Sequence, residues 1–497
     1  MNYIIMNYII MNIHKKILFG TGLSGILLYS YNSLKKEKRY TYEEISKHNN
    51  IKNGIWTTYK DSVYDITNFI NSHPGGKDKI LLAAGKGVEP YWNTYKQHTN
   101  NKEVVDELLK KMRIGIIDNY DPKKYSNFKD PYMKDPQRDP ELIFHSVTPC
   151  NAEVPLDQLS STWLTPNHLW YIRNHNPVPE IDIEKYTLEL DGFSPHPLEI
   201  TMDNIKKFKS KTISTTIQCG GNRRKELNSI KKTMGTPWGK GAISTAEWKG
   251  AILSNLLIDN KDIINGKIKH VHFEGVDGVK ASIPIEKVLN PYGDVILAYE
   301  MNGEELPRDH GYPLRVIVPG YVGIRNIKWL KKITLSEDEV DGTWQKGISY
   351  KGFPHYIDDL NKINEDLVNK INTVQEMPFQ SGITKISNNE DKIKVEGFAW
   401  SGGGRGIIRV DVSIDEGKTW KMAELKEGSE QSHVRAWAWT FWNLEIDIPK
   451  DIKNKKTVVY CKATDESYNT QPQNLDYVWN IRGLINNSWD RREYNIV

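Results

Sequence analysis

Cysteine is scarce in this chain: three among 497 residues, Cys150, Cys219 and Cys461, far apart and never in a CxxC pair. That scarcity excludes a disulfide framework and the usual zinc spacings, and leaves each cysteine as an inert buried thiol, a single metal ligand or a reactive group. A strong charge of either sign is lacking too. With 67 Lys and Arg against 63 Asp and Glu the net charge is +4, which excludes a chain-wide nucleic-acid footprint and makes any strong positive potential a local one. The N-terminal apolar run, Ile17 to Tyr31, is shorter than the roughly 20 residues that a membrane-spanning helix requires. The remaining composition, 38% hydrophobic and 26% charged, is that of a globular protein, and the length predicts about three domains.

The first 39 residues differ from the rest. Met1 to Ile10 is a tandem MNYII repeat; Lys15 and Lys16 precede the apolar run, and Lys35, Lys36, Lys38 and Arg39 follow it. A basic flank with a short apolar segment predicts a targeting segment over residues 1–39, with a marginal membrane anchor or a secretory signal as the alternatives.

Beyond that lies His73-Pro74-Gly75-Gly76, with a second histidine, His98, 25 residues on in Tyr95-Lys96-Gln97-His98. A haem iron held by two imidazoles needs histidines facing each other across an apolar pocket, and a Pro-Gly-Gly turn lets backbone pass close to a flat macrocycle. Residues 40–118 resemble a cytochrome b5 domain. The resemblance implies non-covalent haem b with His73 and His98 as the iron ligands. Val104 to Met112 reads as an amphipathic helix near the end of this module. The module holds 10 acidic against 11 basic residues, a balance that does not by itself favour docking to a basic partner; Glu89 lies between the two histidines. Residues 119–140, with repeated Asp-Pro and little apolar content, predict a flexible linker.

Residues 141–345 mix helical and strand-like text and predict an α+β domain. Trp163 to Tyr171 reads as an aromatic loop, and Tyr186 to Leu190, Val295 to Tyr299 and Leu314 to Val318 as strands. Residues 346–497 read as all-β. Ile408, Val410, Val412 and Ile414 alternate with polar residues, and Val395 to Trp400, Ala436 to Trp442 and Thr457 to Ala463 continue the style, which predicts an immunoglobulin-like sandwich. Gly402-Gly403-Gly404 lacks the Lys-Ser/Thr of a phosphate loop and predicts a hairpin turn.

The chemistry concentrates around Gln218-Cys219-Gly220-Gly221-Asn222-Arg223-Arg224. On its own, a cysteine followed by glycines and arginines could be a nucleophile, a soft-metal ligand or an incidental loop, though no obvious base for nucleophilic catalysis lies nearby. Further on stand Tyr171-Ile172-Arg173-Asn174-His175, Gly241-Ala242-Ile243-Ser244-Thr245, Pro307-Arg308-Asp309-His310-Gly311 and Arg325-Asn326-Ile327-Lys328-Trp329. Together these segments resemble the molybdopterin domain of eukaryotic sulfite oxidases and nitrate reductases, and the tail resembles their dimerisation domain. The whole is a multidomain α+β chain: haem domain, mixed α+β molybdopterin domain, all-β sandwich.

The resemblance implies that Cys219 is the one protein thiolate on molybdenum, a soft donor suited to a metal that changes oxidation state. It implies that Arg173, Asn174, His175, Asp277, His310, Arg315, Asn326, Ile327 and Lys328 hold Mo-molybdopterin, and that Arg173, Arg224, Trp238, Tyr350 and Arg482 form the substrate pocket. Convergent guanidiniums suit a compact oxyanion. The order haem, molybdenum domain, sandwich matches animal-type sulfite oxidases. It implies oxidation of sulfite to sulfate, single electrons leaving through haem to cytochrome c, a homodimer, and the mitochondrial intermembrane space. Nitrate reduction is disfavoured because that family places its haem domain after the sandwich. A non-enzymatic haem protein is disfavoured because an interaction module has no reason to assemble Cys219 among arginines.

Overall fold

The computed structural model describes residues 37–496 apart from 74, 101, 124–129, 194–195, 258–261, 263–264 and 451. The N-terminal segment expected to target or anchor the chain lies almost wholly outside the described residues, among which no helix is long and apolar enough to cross a membrane. The described residues form two compact units, one of 37–70, 80–92 and 97–123, the other of 71–79, 93–96 and 130–496.

In the first unit, Arg113–Ile117 pairs in parallel with Arg39–Tyr40 and antiparallel with Ser62–Asp65, and Gly54–Tyr59 and Asn49–Asn50 continue the sheet. The helix Tyr42–Lys47 starts at a capping box: the Thr41 hydroxyl accepts from the Glu44 amide and the Glu44 carboxylate accepts from the Thr41 amide. Lys102–Met112 is the amphipathic helix expected near here; it buries Leu109 in a core with Ile55, Tyr64, Ile66 and Ile70. A second small cluster, Ile45, Val63 and Ile117, packs on the helix Tyr42–Lys47 side.

The second unit holds the α+β domain and the sandwich. Its main sheet runs Leu198–Thr201, Thr187–Asp191, Leu330–Ser336, His270–Gly275, Lys280–Pro284. A second is built on the antiparallel ladder of Ser210–Gln218 with Ile243–Ile252, from Ser210 opposite Ala251 to Gln218 opposite Ile243, and continues through Ile296–Met301 to Arg315–Ile317. The expected strands around 186–190, 295–299 and 314–318 are present within a residue or two.

The sandwich packs two four-stranded sheets. One is Gln380–Asn388, Lys392–Trp400, Thr440–Asp447, Glu424–Leu425; the other is Lys421–Met422, Ile407–Ser413, Lys456–Asp465, Asp490–Asn495. Val395, Val410, Val412, Trp442 and Val459 meet between them. Three details differ from expectation. A register shift between Ile407 and Arg409 turns Ile407 inward and leaves Ile408 41% exposed, so the alternation breaks at its first member. The strand expected from Ala436 begins only at Thr440. Gly402-Gly403-Gly404 is not a hairpin turn: it carries the chain from Lys392–Trp400 in one sheet to Ile407–Ser413 in the other.

The stretch expected to be a flexible linker is fixed in its last part. The Arg138 side chain is 8% exposed and reaches both carboxylate oxygens of Asp309, at 2.8 and 3.0 Å, while Asp135 accepts from Arg138 and from the Val178 amide.

Candidate active site

The strand Ser210–Gln218 is exposed at its start and buried over its last four residues, so it delivers Cys219 into the interior. Gly221 is needed directly afterwards. A Cβ there would lie 2.4 Å from Arg224 Nη2, so the chain closes tightly around that guanidinium only without a side chain. Beside Cys219 opens a cleft of about 690 Å³, its open mouth included. It is lined by Tyr171, Arg173, Asn174, His175, Asp277, His310, Arg315, Asn326, Ile327, Lys328 and Tyr350, among others. These residues come from separate elements: Arg173 from the short strand Ile172–Arg173, His310 from the 3-10 turn Arg308–His310, Arg315 from the start of a strand, and Tyr350 from the 3-10 turn Ile348–Tyr350.

The cations here are not members of surface salt bridges, the plain alternative for any one of them. Arg315 is 4% exposed and donates only to the carbonyls of His310 and Asn326, at 2.8 and 3.1 Å, while its Nε has no partner. Burial pushes its pKa down to about 10. Lys328 donates to the Asp309 carbonyl at 2.8 Å and to the Asn174 side-chain oxygen, and burial pushes it down to about 7. Burial also brings His310 to about 4, and lowers His175 well below the usual imidazole range with help from the Arg173 charge. Asp277 goes the other way, pushed up to about 6 by burial. A bare buried ion costs several kcal/mol or more, so a cleft so rich in cations and so poor in carboxylates is suited to an anionic ligand.

Arg224 and Arg482 do not line this cleft but stand next to it. Arg224 donates to the carbonyls of Arg482, Gly483 and Thr236 at 3.2, 3.1 and 2.7 Å and has no ion-pair partner among the described residues. Burial lowers its pKa, and the charge of Arg173 lowers it further. Arg482 contacts Met234 Sδ at 3.6 Å, its Nε has no partner, and burial together with the Arg224 charge pushes it down to about 10. Tyr350 lies within the field of Arg173, Arg325 and Arg224, yet burial outweighs them and pushes the phenol up to about 12. It therefore remains a hydroxyl donor at neutral pH.

Two expected site residues are placed differently. Trp238 is fully buried, does not line the cleft, and packs edge-on against His145 with centroids 4.9 Å apart; its indole N–H has no partner. Asn326 lines the cleft, but its amide is committed to the backbone: it accepts from Val318 at 2.7 Å and donates to Tyr321 and Val322. Three residues were missed. Asp309 accepts from Arg138 and from Asn174, and its carbonyl holds Lys328. Tyr171 lines the cleft, and burial raises it well above the usual phenol range. Arg325 is fully buried with its charge 5.6 Å from the Tyr350 ring centroid. All three stand inside the quoted motifs, which is the available signal.

Of the two haem-type histidines, His73 has local geometry that fits a metal ligand. His73 Nδ1 lies 3.1 Å from the Gly76 carbonyl, which can only accept, so Nδ1 carries the proton and the neutral ring's lone pair is on Nε2. A Cβ on Gly75 would lie 2.7 Å from His73 Cε1, so the turn closes on the imidazole only with glycine. His98, in the helix Gln97–Asn100, stacks on Trp92 with centroids 4.8 Å apart. Glu89, between the two histidines in sequence, is half-buried and accepts from the Lys60 amide at 2.7 Å.

Three protein-family models match the chain: "Cytochrome b5-like Heme/Steroid binding domain" over residues 41–118, "Oxidoreductase molybdopterin binding domain" over 175–344 and "Mo-co oxidoreductase dimerisation domain" over 365–496. The chain is similar to the mitochondrial sulfite oxidase of Rattus norvegicus, 41% identical with 96% of this chain and 88% of that one covered. It is similar to that of Homo sapiens, 40% identical with 95% and 87% covered. Among solved structures, the sulfane dehydrogenase SoxCD of Paracoccus pantotrophus matches with a TM-score of 0.60 at 24% identity, covering 76% of this chain and 97% of that one, and so shares its fold. Motifs, architecture and full-length identity agree: the chain belongs to the sulfite oxidase family.

Proposed function

We infer that this protein is a molybdenum-dependent oxidoreductase that binds Mo-molybdopterin and haem b, oxidises sulfite to sulfate, and forms a homodimer through its C-terminal domain. The observation that carries the reading is the set of guanidiniums around Cys219: buried Arg224 and Arg315 and half-buried Arg482 have no carboxylate partner among the described residues and are suited to two anions, a pterin phosphate and sulfite. When bound, Mo-molybdopterin would supply two-electron redox chemistry and haem b one-electron redox chemistry.

The remaining tasks belong to side chains. Cys219 offers the thiolate. Arg315, Lys328 and His310, with Arg173, Asn174, His175 and Asp277, hold the pterin and its phosphate, and Asn326 and Ile327 shape the wall. Arg173, Arg224 and Arg482 gather and orient sulfite, and in a dry site each charge-assisted hydrogen bond contributes more than it would in water. Tyr350 donates to a sulfite oxygen, and Trp238, in the same buried cluster as Cys219 and Tyr350, completes the substrate pocket. His73 and His98 ligate the haem iron. Cytochrome c is the acceptor and the mitochondrial intermembrane space the location, with residues 1–39 as targeting segment and 40–118, 141–345 and 346–497 as the three domains. The test is a metal assay on purified protein. Stoichiometric molybdenum and iron are expected; iron without molybdenum contradicts the reading.

A further inference from the structure

Arg325 is a fully buried charge in the second unit that the proposed chemistry leaves without a task. It lies between Ile324 and Asn326, both of which line the cleft, and does not line it itself. It is fully buried and has no carboxylate partner among the described residues. Its donors go to two backbone carbonyls: Nε and Nη2 to Val374, at 3.3 and 2.9 Å, and Nη1 to Trp344, at 3.0 Å. The Val374 amide in turn donates to the Tyr350 carbonyl at 2.9 Å, and the next residue, Lys351, forms an isolated bridge with Thr373. The guanidinium carbon stands 5.6 Å from the Tyr350 ring centroid. Arg325 thus holds Tyr350 twice, by its charge toward the ring and through Val374 to its main chain.

A further contact extends the same hold. The Trp344 indole stands edge-on to His175, with centroids 5.1 Å apart, and His175 lines the cleft. A purely structural staple between two carbonyls needs donors but not a charge, and a neutral donor would avoid the cost of burying an ion. A cation beside the phenol has a use that a neutral group lacks. It fixes the ring by cation–π attraction and favours negative charge where the hydroxyl points.

We propose that Arg325 is a positioning residue for Tyr350, acting on turnover by holding the phenol ring and its backbone in the orientation that lets the hydroxyl donate to the bound oxyanion. This rests on the sulfite-oxidising reading above. The experiment is a double-mutant cycle on the metal- and haem-replete enzyme, with turnover counted per molybdenum. It uses Arg325→Met and Arg325→Lys, each alone and combined with Tyr350→Phe. With Tyr350 present, Arg325→Met is expected to lower kcat roughly tenfold with a smaller change in KM, as loss of a buried cation–π contact implies, while Arg325→Lys recovers most of the loss. With Phe at 350, Arg325→Met is expected to cost no more than about twofold further.

Equal losses in both backgrounds, or a Lys variant no better than Met, overturn the proposal. If Arg325→Met does not fold, Arg325→Gln, which keeps donors without charge, replaces it in the same cycle under the same criteria. Failure of the underlying reading looks different: the unsubstituted, fully loaded enzyme would not oxidise sulfite at all.

Discussion

At the scale of single residues the site divides into groups that carry charge and groups that are kept neutral. Cys219→Ala is expected to abolish sulfite-dependent turnover and leave haem binding intact, checked by metal content and haem absorbance. Arg482→Met should raise KM for sulfite on the order of tenfold to a hundredfold, the value of one buried charged hydrogen bond, with kcat less affected. His310 gives a pH prediction. Its pKa falls from 6.5 to about 4 on folding because burial disfavours the cation. Between those values the unfolded chain binds a proton that the folded chain does not. Cofactor-free protein should therefore lose up to about 3 kcal/mol of stability from this group as pH falls from about 6.5 to about 4, and His310→Gln should remove that part of the slope in denaturant titrations.

Much of this was legible because the chemistry sits in short words: His-Pro-Gly-Gly, Cys-Gly-Gly-Asn-Arg-Arg, Arg-Asp-His-Gly. What was not legible is set by distance along the chain. Nothing in the text around Arg138 says that it meets Asp309, 171 residues on. Nothing around Arg325 says that its charge stops beside Tyr350, because which carbonyls a guanidinium meets depends on packing. Trp238 shows the converse: its context placed it at the substrate, but its ring is fully buried against His145 and lines no cleft.

At the scale of elements, the site depends on strands that end where the chemistry starts. The nine-residue ladder from Ser210 to Gln218 fixes where Cys219 emerges, and Gly221 lets the following turn close on Arg224. Gly221→Ala should displace that guanidinium and raise KM for sulfite several-fold, with molybdenum content largely retained. Strand identity was readable from alternation, but phase was not: the irregularity at Ile407–Arg409 turns one residue outward, and a bulge depends on the partner strand. The glycine run 402–404 departs from the hairpin its residues predict for a related reason. A hairpin and a crossing between sheets use the same residues, and only the pairing partners distinguish them. The stretch from 130 to 140 read as linker because it is polar, yet its polar groups form a buried clamp. Arg138→Met leaves Asp309 buried and unpaired, and should cost about 3 kcal/mol, checked by denaturant unfolding.

For the whole molecule, the proposed function sets haem binding and the oxidising site on one chain, with the sandwich supplying the surface for a second copy. Sedimentation should give a mass of two chains. The central claim is that sulfite oxidised beside Cys219 delivers its electrons to the haem held by His73 and His98. The direct measurement is stopped-flow mixing of the metal-replete, oxidised protein with sulfite while the haem spectrum is followed, with no other reductant present. The account predicts rapid haem reduction, lost in Cys219→Ala. A haem that stays oxidised in protein carrying its full complement of molybdenum would contradict it.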